Sequence, residues 1–242
     1  MSHAHEAANS YRWLDPAQIT RTCSSLSQRI AERFPDAGLA SVAHQVVRSS
    51  EEAAGLMRWL ERPIPWTRAL VAGAVVLALA LVGAMLASVN WRASAYSSLA
   101  DLLQGIDAVV NELILLGVAI YFLSSLETRI KRRRALAALH GLRSLAHIVD
   151  MHQLTKEPSS LLARGRATAS SPKRNLSAYE LTRYLGYCSE LLSLLSKIAA
   201  LHVQTFNDPV TLAAVDELEG LCASVSSKMW QKILIVDRGG AS

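Results

Sequence analysis

Apolar positions along this chain follow two patterns, and the switch between them sets the expected architecture. Residues 69–89 form the uncharged run ALVAGAVVLALALVGAMLASV, and residues 106–127 read IDAVVNELILLGVAIYFLSSLE. Each is long enough to cross a hydrocarbon core of about 30 Å as a helix. Elsewhere the apolar residues are spaced three and four apart, as on one face of an amphipathic helix. The second run passes through Arg129, Lys131, Arg132, Arg133 and Arg134 into ALAALHGLRSLAHIVDM with no proline along it. Ala135, Leu139, Leu142, Ala146 and Val149 keep helical spacing beyond the charges. Residues 106–151 therefore read as one helix of about 45 residues, roughly 65–70 Å, half in lipid and half in water.

The remaining elements follow from caps and breakers. Asp15-Pro16 supplies an N-cap and a proline at the first helical position. The helix after it runs to about residue 33, with Ile19, Cys23, Leu26 and Ile30 on one face. Pro35-Asp36 interrupts it, and a second helix to about residue 60 carries Leu39, Val42, Val46, Met57 and Leu60. Pro63 and Pro65 end that pattern before the first span. Ser177 and Glu180 form a capping-box pattern. The helix it opens bears a heptad stripe of Leu181, Tyr184, Cys188, Leu191, Leu195, Ile198 and His202. Asn207-Asp208-Pro209 starts the last helix, with Val215, Leu218, Cys222, Val225 and Met229 on one side. No strand-like alternation occurs.

The expected fold is all-α, a two-span transmembrane helical hairpin with a cytoplasmic helical bundle. The expected division is an N-terminal cytoplasmic hairpin over residues 1–62 and a membrane hairpin over 66–128, with spans of about 68–90 and 106–127. A C-terminal helical domain over 129–242 packs with residues 15–60. Arg58, Arg62 and Arg68 precede the first span and five basic residues follow the second, whereas the connection carries only Arg92. The positive-inside rule then puts both termini in the cytoplasm. Trp66 and Trp91 bracket the first span as interfacial aromatics.

Composition narrows the function. The chain has 51% hydrophobic residues and a net charge of +5. That charge sits beside the spans rather than across a soluble face, which favours anionic lipid headgroups as partners and excludes nucleic acid. Three cysteines, widely spaced and each within an apolar stripe, read as reduced core thiols. The N-terminal residues lack a basic region followed by an apolar stretch, so no signal peptide is expected, and neither end shows a lipidation pattern.

Candidate chemistry is sparse. His140, Arg143, His147, Asp150 and Met151 lie within about 100° of one another on the long helix, with His152 just beyond. His147, Asp150 and His152 are the candidate metal ligands, set against a plain capping and packing role at a helix C-terminus. Their spacing matches no HExxH pattern, and His147 stands about 20 residues, near 30 Å, beyond the span. His202, at a heptad position, reads as a satisfied core histidine. No nucleophile elbow, glycine-rich phosphate loop or paired cysteine and base is present, so no catalytic residue and no cofactor are expected.

Within the second span Asp107, Asn111, Gly117, Tyr121, Ser124, Ser125 and Thr128 share one side, with Glu112 turned away near the outer interface. Such a face avoids lipid and must meet protein or water, as an oligomer seam or a pore lining. In the first span Ala80, Ala84 and Ser88, and Gly83 with Ala87, repeat every fourth residue, which allows close helix approach. Expected partners are the lipid bilayer and further copies of the chain. Function reads as membrane-anchored assembly or signalling, with an oligomeric ion channel or a metal-dependent enzyme as rivals.

The stretches LRSLAHIVDMHQLTKEP and RNLSAYELTRYLGYCSELLSLLSKIAALHVQ resemble segments of a family of uncharacterised bacterial inner-membrane proteins with two transmembrane helices and an AHxxDMHQLTK-type motif. The resemblance covers most of residues 15–235 and implies a bacterial cytoplasmic membrane. It implies no activity.

Overall fold

In the computed structural model of this protein, residues 13–88, 99–154, 156 and 176–240 are described. Every regular element among them is helical: α1 Pro16–Arg33, α2 Gly38–Glu61, α3 Pro65–Ser88, α4 Leu99–Leu154, α5 Ala178–Gln204 and α6 Pro209–Gly240. The chain divides into two units. One takes in the chain up to Glu61 and from Arg132 onward; the other is the stretch from Arg62 to Lys131. The connection bearing Arg92 and most of the basic stretch before Ser177 lie outside the described residues.

The caps act where sequence places them. The Asp15 carboxylate accepts from Ala17 N at 2.8 Å, with Pro16 opening α1. Ser177 Oγ accepts from Glu180 N at 3.3 Å, while Glu180 Oε2 takes Ser177 N at 2.8 Å. Each bond satisfies an amide that a helix start would leave open. The long helix differs from expectation at its beginning. It starts at Leu99 and has 56 residues, because Leu99, Leu102 and Leu103 carry no breaker and simply extend it.

In the first unit α5 is the central element. Its stripe is buried as spaced, but so are Leu185, Tyr187, Leu192, Leu194, Ala199 and Leu201. A helix buried on more than one face is surrounded, and α5 packs most extensively on α6 and also on α1 and α2. Phe34 stands edge-on to Tyr184 and Tyr187, with ring centroids 5.4 and 6.3 Å apart. Gln204 holds the backbone of Leu14 in both directions, at 3.0 and 3.1 Å.

The later part of α4 joins the same core through Leu139, Leu142, Leu145, Ala146 and Val149. Three polar links fix its register along α6. Arg132 meets Asp208, Arg143 meets Glu217 at 2.8 Å, and Lys232 Nζ donates to the side chain and backbone carbonyl of Gln153 at 2.6 and 3.1 Å. Partners rise in number together on both helices, so this part of α4 and α6 run parallel. The lysine also meets a carbonyl near the C-terminus of α4, where a cation is favoured.

In the second unit α3 and the early part of α4 are long and apolar enough to cross a membrane. Only 6% of the apolar window in one and 0% in the other is buried. A soluble core helix of that composition would be covered. Glu127 gathers the ends: Ile64 N at 3.4 Å, Arg68 at 3.6 Å and Lys131 at 2.9 Å. The first turn of α3 therefore lies beside the end of the apolar part of α4.

Replacing Leu191 or Leu195 with alanine removes a large side chain that is at most 1% exposed. Each is expected to destabilise the bundle by about 2–5 kcal/mol. Thermal melts followed by circular dichroism check this, and an unchanged midpoint for both would contradict α5 as the central helix.

Candidate functional site

The basic run after the second span is divided among different partners. Lys131 is buried and pairs with Glu127. Arg132 Nε donates to both Asp208 oxygens at 3.0 Å and its Nη2 donates to Oδ1 at 2.6 Å. The Arg134 guanidinium lies 4.2 Å from the Trp59 ring centroid, and Arg129 stacks at 5.5 Å on Phe122. Arg133 is exposed. Five equivalent charges at an anionic surface do not describe this arrangement, since Lys131 and Arg132 already satisfy carboxylates.

Asp208 is only 2% exposed. Its Oδ2 also accepts from Thr211 N at 3.0 Å and Thr211 Oγ1 at 2.9 Å, so one carboxylate caps α6 and binds the arginine. Burial alone would raise its pKa, but Arg132 and the Thr211 donors outweigh that and hold the carboxyl below its ordinary range.

The polar side of the second span is exposed at Asp107, Asn111, Gly117, Ser124 and Thr128, with Tyr121 69% exposed and Ser125 half-buried. A Cβ placed on Gly117 would meet nothing within 4 Å, and the same holds for Gly73 and Gly83 of the first span. The serines depart from expectation. Ser124 Oγ donates to Tyr121 O at 2.8 Å and Ser125 Oγ to Phe122 O at 2.9 Å. Both hydroxyls are satisfied by their own helix, which lowers the cost of facing lipid. Asn111 and Tyr121 carry the polar argument instead.

The candidate metal ligands are not brought together. His147 is exposed, Asp150 Oδ1 accepts from Gln153 at 2.8 Å, and His152 is packed close to Gly38. Among the described residues no group of three His, Cys, Asp or Glu side chains is placed to hold a metal ion. His140 is exposed and Arg143 is paired with Glu217. Burial raises the thiols of Cys23, Cys188 and Cys222 to about 11, 12 and 11, so none is an activated nucleophile.

One site emerges that sequence spacing does not show. A cavity of about 460 Å³ lies between α2 and the later part of α4. Ala53, Leu56, Ala138, Leu142 and Leu145 give it apolar walls, while Gln45, Ser49, Glu52 and Ser144 contribute polar groups. His202, the lining residue from α5, is 1% exposed. Its Nδ1 lies 3.1 Å from Ile198 O and 3.3 Å from Ala199 O. Carbonyls only accept, so Nδ1 carries the proton and Nε2 is left as an acceptor. That Nε2 is buried without a partner, and burial keeps the ring neutral by lowering its pKa. The expected satisfied core histidine is thus satisfied on one nitrogen only.

Replacing Asp208 with asparagine keeps a capping side chain but removes the charge that Arg132 binds. A destabilisation of about 1–2 kcal/mol at neutral pH is expected. Because the folded-state carboxyl is held low, its contribution is present above the unfolded value near 4 and fades as pH falls below it. Melting midpoints from pH 7 to pH 3 should therefore drop less in the variant. Parallel curves would contradict the assignment.

Comparison with protein-family models, with curated proteins and with solved structures finds no match to this chain.

Proposed function

We propose that this chain is a bacterial inner-membrane protein, anchored by a hairpin of two spans with both termini in the cytoplasm. In this reading it acts without catalysis, as a homo-oligomeric assembly or signalling protein carrying a cytoplasmic helical bundle. One observation carries it: the second span leaves Asn111, Gly117 and Tyr121 uncovered on one side. Lipid suits the leucines of that span but solvates Asn111 poorly at membrane depth. A second copy covers the face at little cost, because small residues allow close approach and closed symmetry needs only one self-complementary patch. The hairpin is supported by Glu127, which joins the beginning of α3 to the end of the apolar part of α4. Arg129, Arg133 and Arg134, being exposed, are the residues of the basic run left to meet anionic headgroups.

An oligomeric channel is the second reading, and the exposed Asp107 and Asn111 on the same face favour it. Both readings need neighbouring copies; only the channel passes current in planar bilayers.

Replacing Asn111, Gly117 and Ser125 together with leucine makes the face apolar and bulky. The variant is expected to lose or reorganise the assembly, read as a changed mass in mild detergent. Its helical bundle should keep its melting midpoint. An assembly of unaltered mass would contradict the proposed seam.

A further inference from the structure

His202 is held in a state that only the neutral ring tolerates. Its Nδ1 donates to two carbonyls of its own helix, and its Nε2 is sealed from water with no partner. A proton added at Nε2 would create an N–H and a full charge there, and a buried charge without a partner is costly. Burial, outweighing the two carbonyls, already favours the neutral form. The helices packed around it offer no counter-charge. Asp208 is paired with Arg132, Asp150 and Lys232 are held by Gln153, and Glu219 lies beside Cys222. His152, at the end of α4, packs on Gly38. The other charged groups of α1, α2, α6 and the later part of α4 are exposed, Glu52 at the cavity among them.

The weakest wall near this ring is the seam between α2 and the later part of α4. The cavity already parts these helices, and His202 lines its inner end. Among the described residues no hydrogen bond or ion pair joins the two; they meet at Gly38 with His152 and at Trp59 with Arg134. The polar ties of α2 run to α1 instead, from Ser50 to Thr20 and between His44 and Ser27. α4 is fastened to α6 by Arg132, Arg143 and Gln153, so α2 is the wall that yields.

We propose that His202 is a proton-operated latch: uptake of a proton at Nε2 releases α2 from the later part of α4 and lets water into the core between them. The closed seam holds the ring neutral, whereas the opened seam returns it to water, where its ordinary value is near 6.5. Opening therefore takes up one proton below that value and grows easier as pH falls through it. The inference stands on the bundle unit alone and does not depend on the number of copies in the assembly.

The test is backbone hydrogen exchange of the full chain in lipid nanodiscs at pH 7.5 and pH 5, each rate divided by the intrinsic rate at that pH. In wild type the protection of α2 should fall at pH 5 while α5 and α6 keep theirs. The fall should reach up to about 30-fold, the limit for one proton taken up only on opening. Carboxyls such as Asp208 titrate below this window. His202→Gln keeps a donor for the two carbonyls and takes up no proton. His202→Phe, which fills the place with an apolar ring, is the second variant should the amide not be accommodated. Either should hold the protection of α2 near its neutral-pH level. Unchanged protection of α2 in wild type, an equal loss in the histidine variants, or a loss spread evenly over α5 and α6 as well would each overturn the proposal.

Discussion

Asp208 is the point at which the bundle unit is tied together. It sits at the start of α6, where amides need an acceptor, and it is almost wholly removed from water. A buried carboxylate is tolerable only if its charge is matched, and Arg132 of α4, far away in sequence, matches it with three contacts. That single ion pair sets where α4 begins to run along α6. Arg143 with Glu217 and Gln153 with Lys232 then keep the same register farther on. The aliphatic contacts of Leu139, Leu142, Ala146 and Val149 supply burial, but burial alone does not choose a register.

The basic residues consequently serve two purposes. Lys131 and Arg132 are held by Glu127 and Asp208, whereas Arg129, Arg133 and Arg134 are exposed. In the apolar unit the balance is reversed: Glu127 is well supplied with partners, yet Gly73, Gly83 and Gly117 stand uncovered. Under the proposed reading, fixed charges at one end and uncovered glycines along the length suit a segment that meets further copies. The bundle, by contrast, buries its stripes within one chain.

Much of the helical layout is legible in the sequence because it depends on short-range chemistry. Asp15-Pro16, Ser177 with Glu180, and Asp208-Pro209 mark helix starts by local hydrogen bonding, and each does so in the structure. The stripes on α1, α4, α5 and α6 are buried residue for residue, since period decides face. What escapes is everything that needs a partner from elsewhere. Period cannot say that Arg132 will find Asp208, so the basic run reads as a surface feature. The local bonds of Ser124 and Ser125 to their own helix are short-range, but a serine in a span reads equally well as turned toward a neighbour. His202 falls on a core stripe, and period does not show that its Nε2 ends buried without a partner. The extra burial of α5 likewise follows from its being surrounded, which one stripe does not reveal.

The central claim is that the membrane unit is incomplete as a single copy. Membranes from cells expressing a fluorescently tagged chain at low level can be extracted directly into polymer-bounded lipid discs, without detergent. The photobleaching steps of single particles then count the chains. The account predicts a uniform population with two or more steps per particle. A population of single-step particles would contradict it.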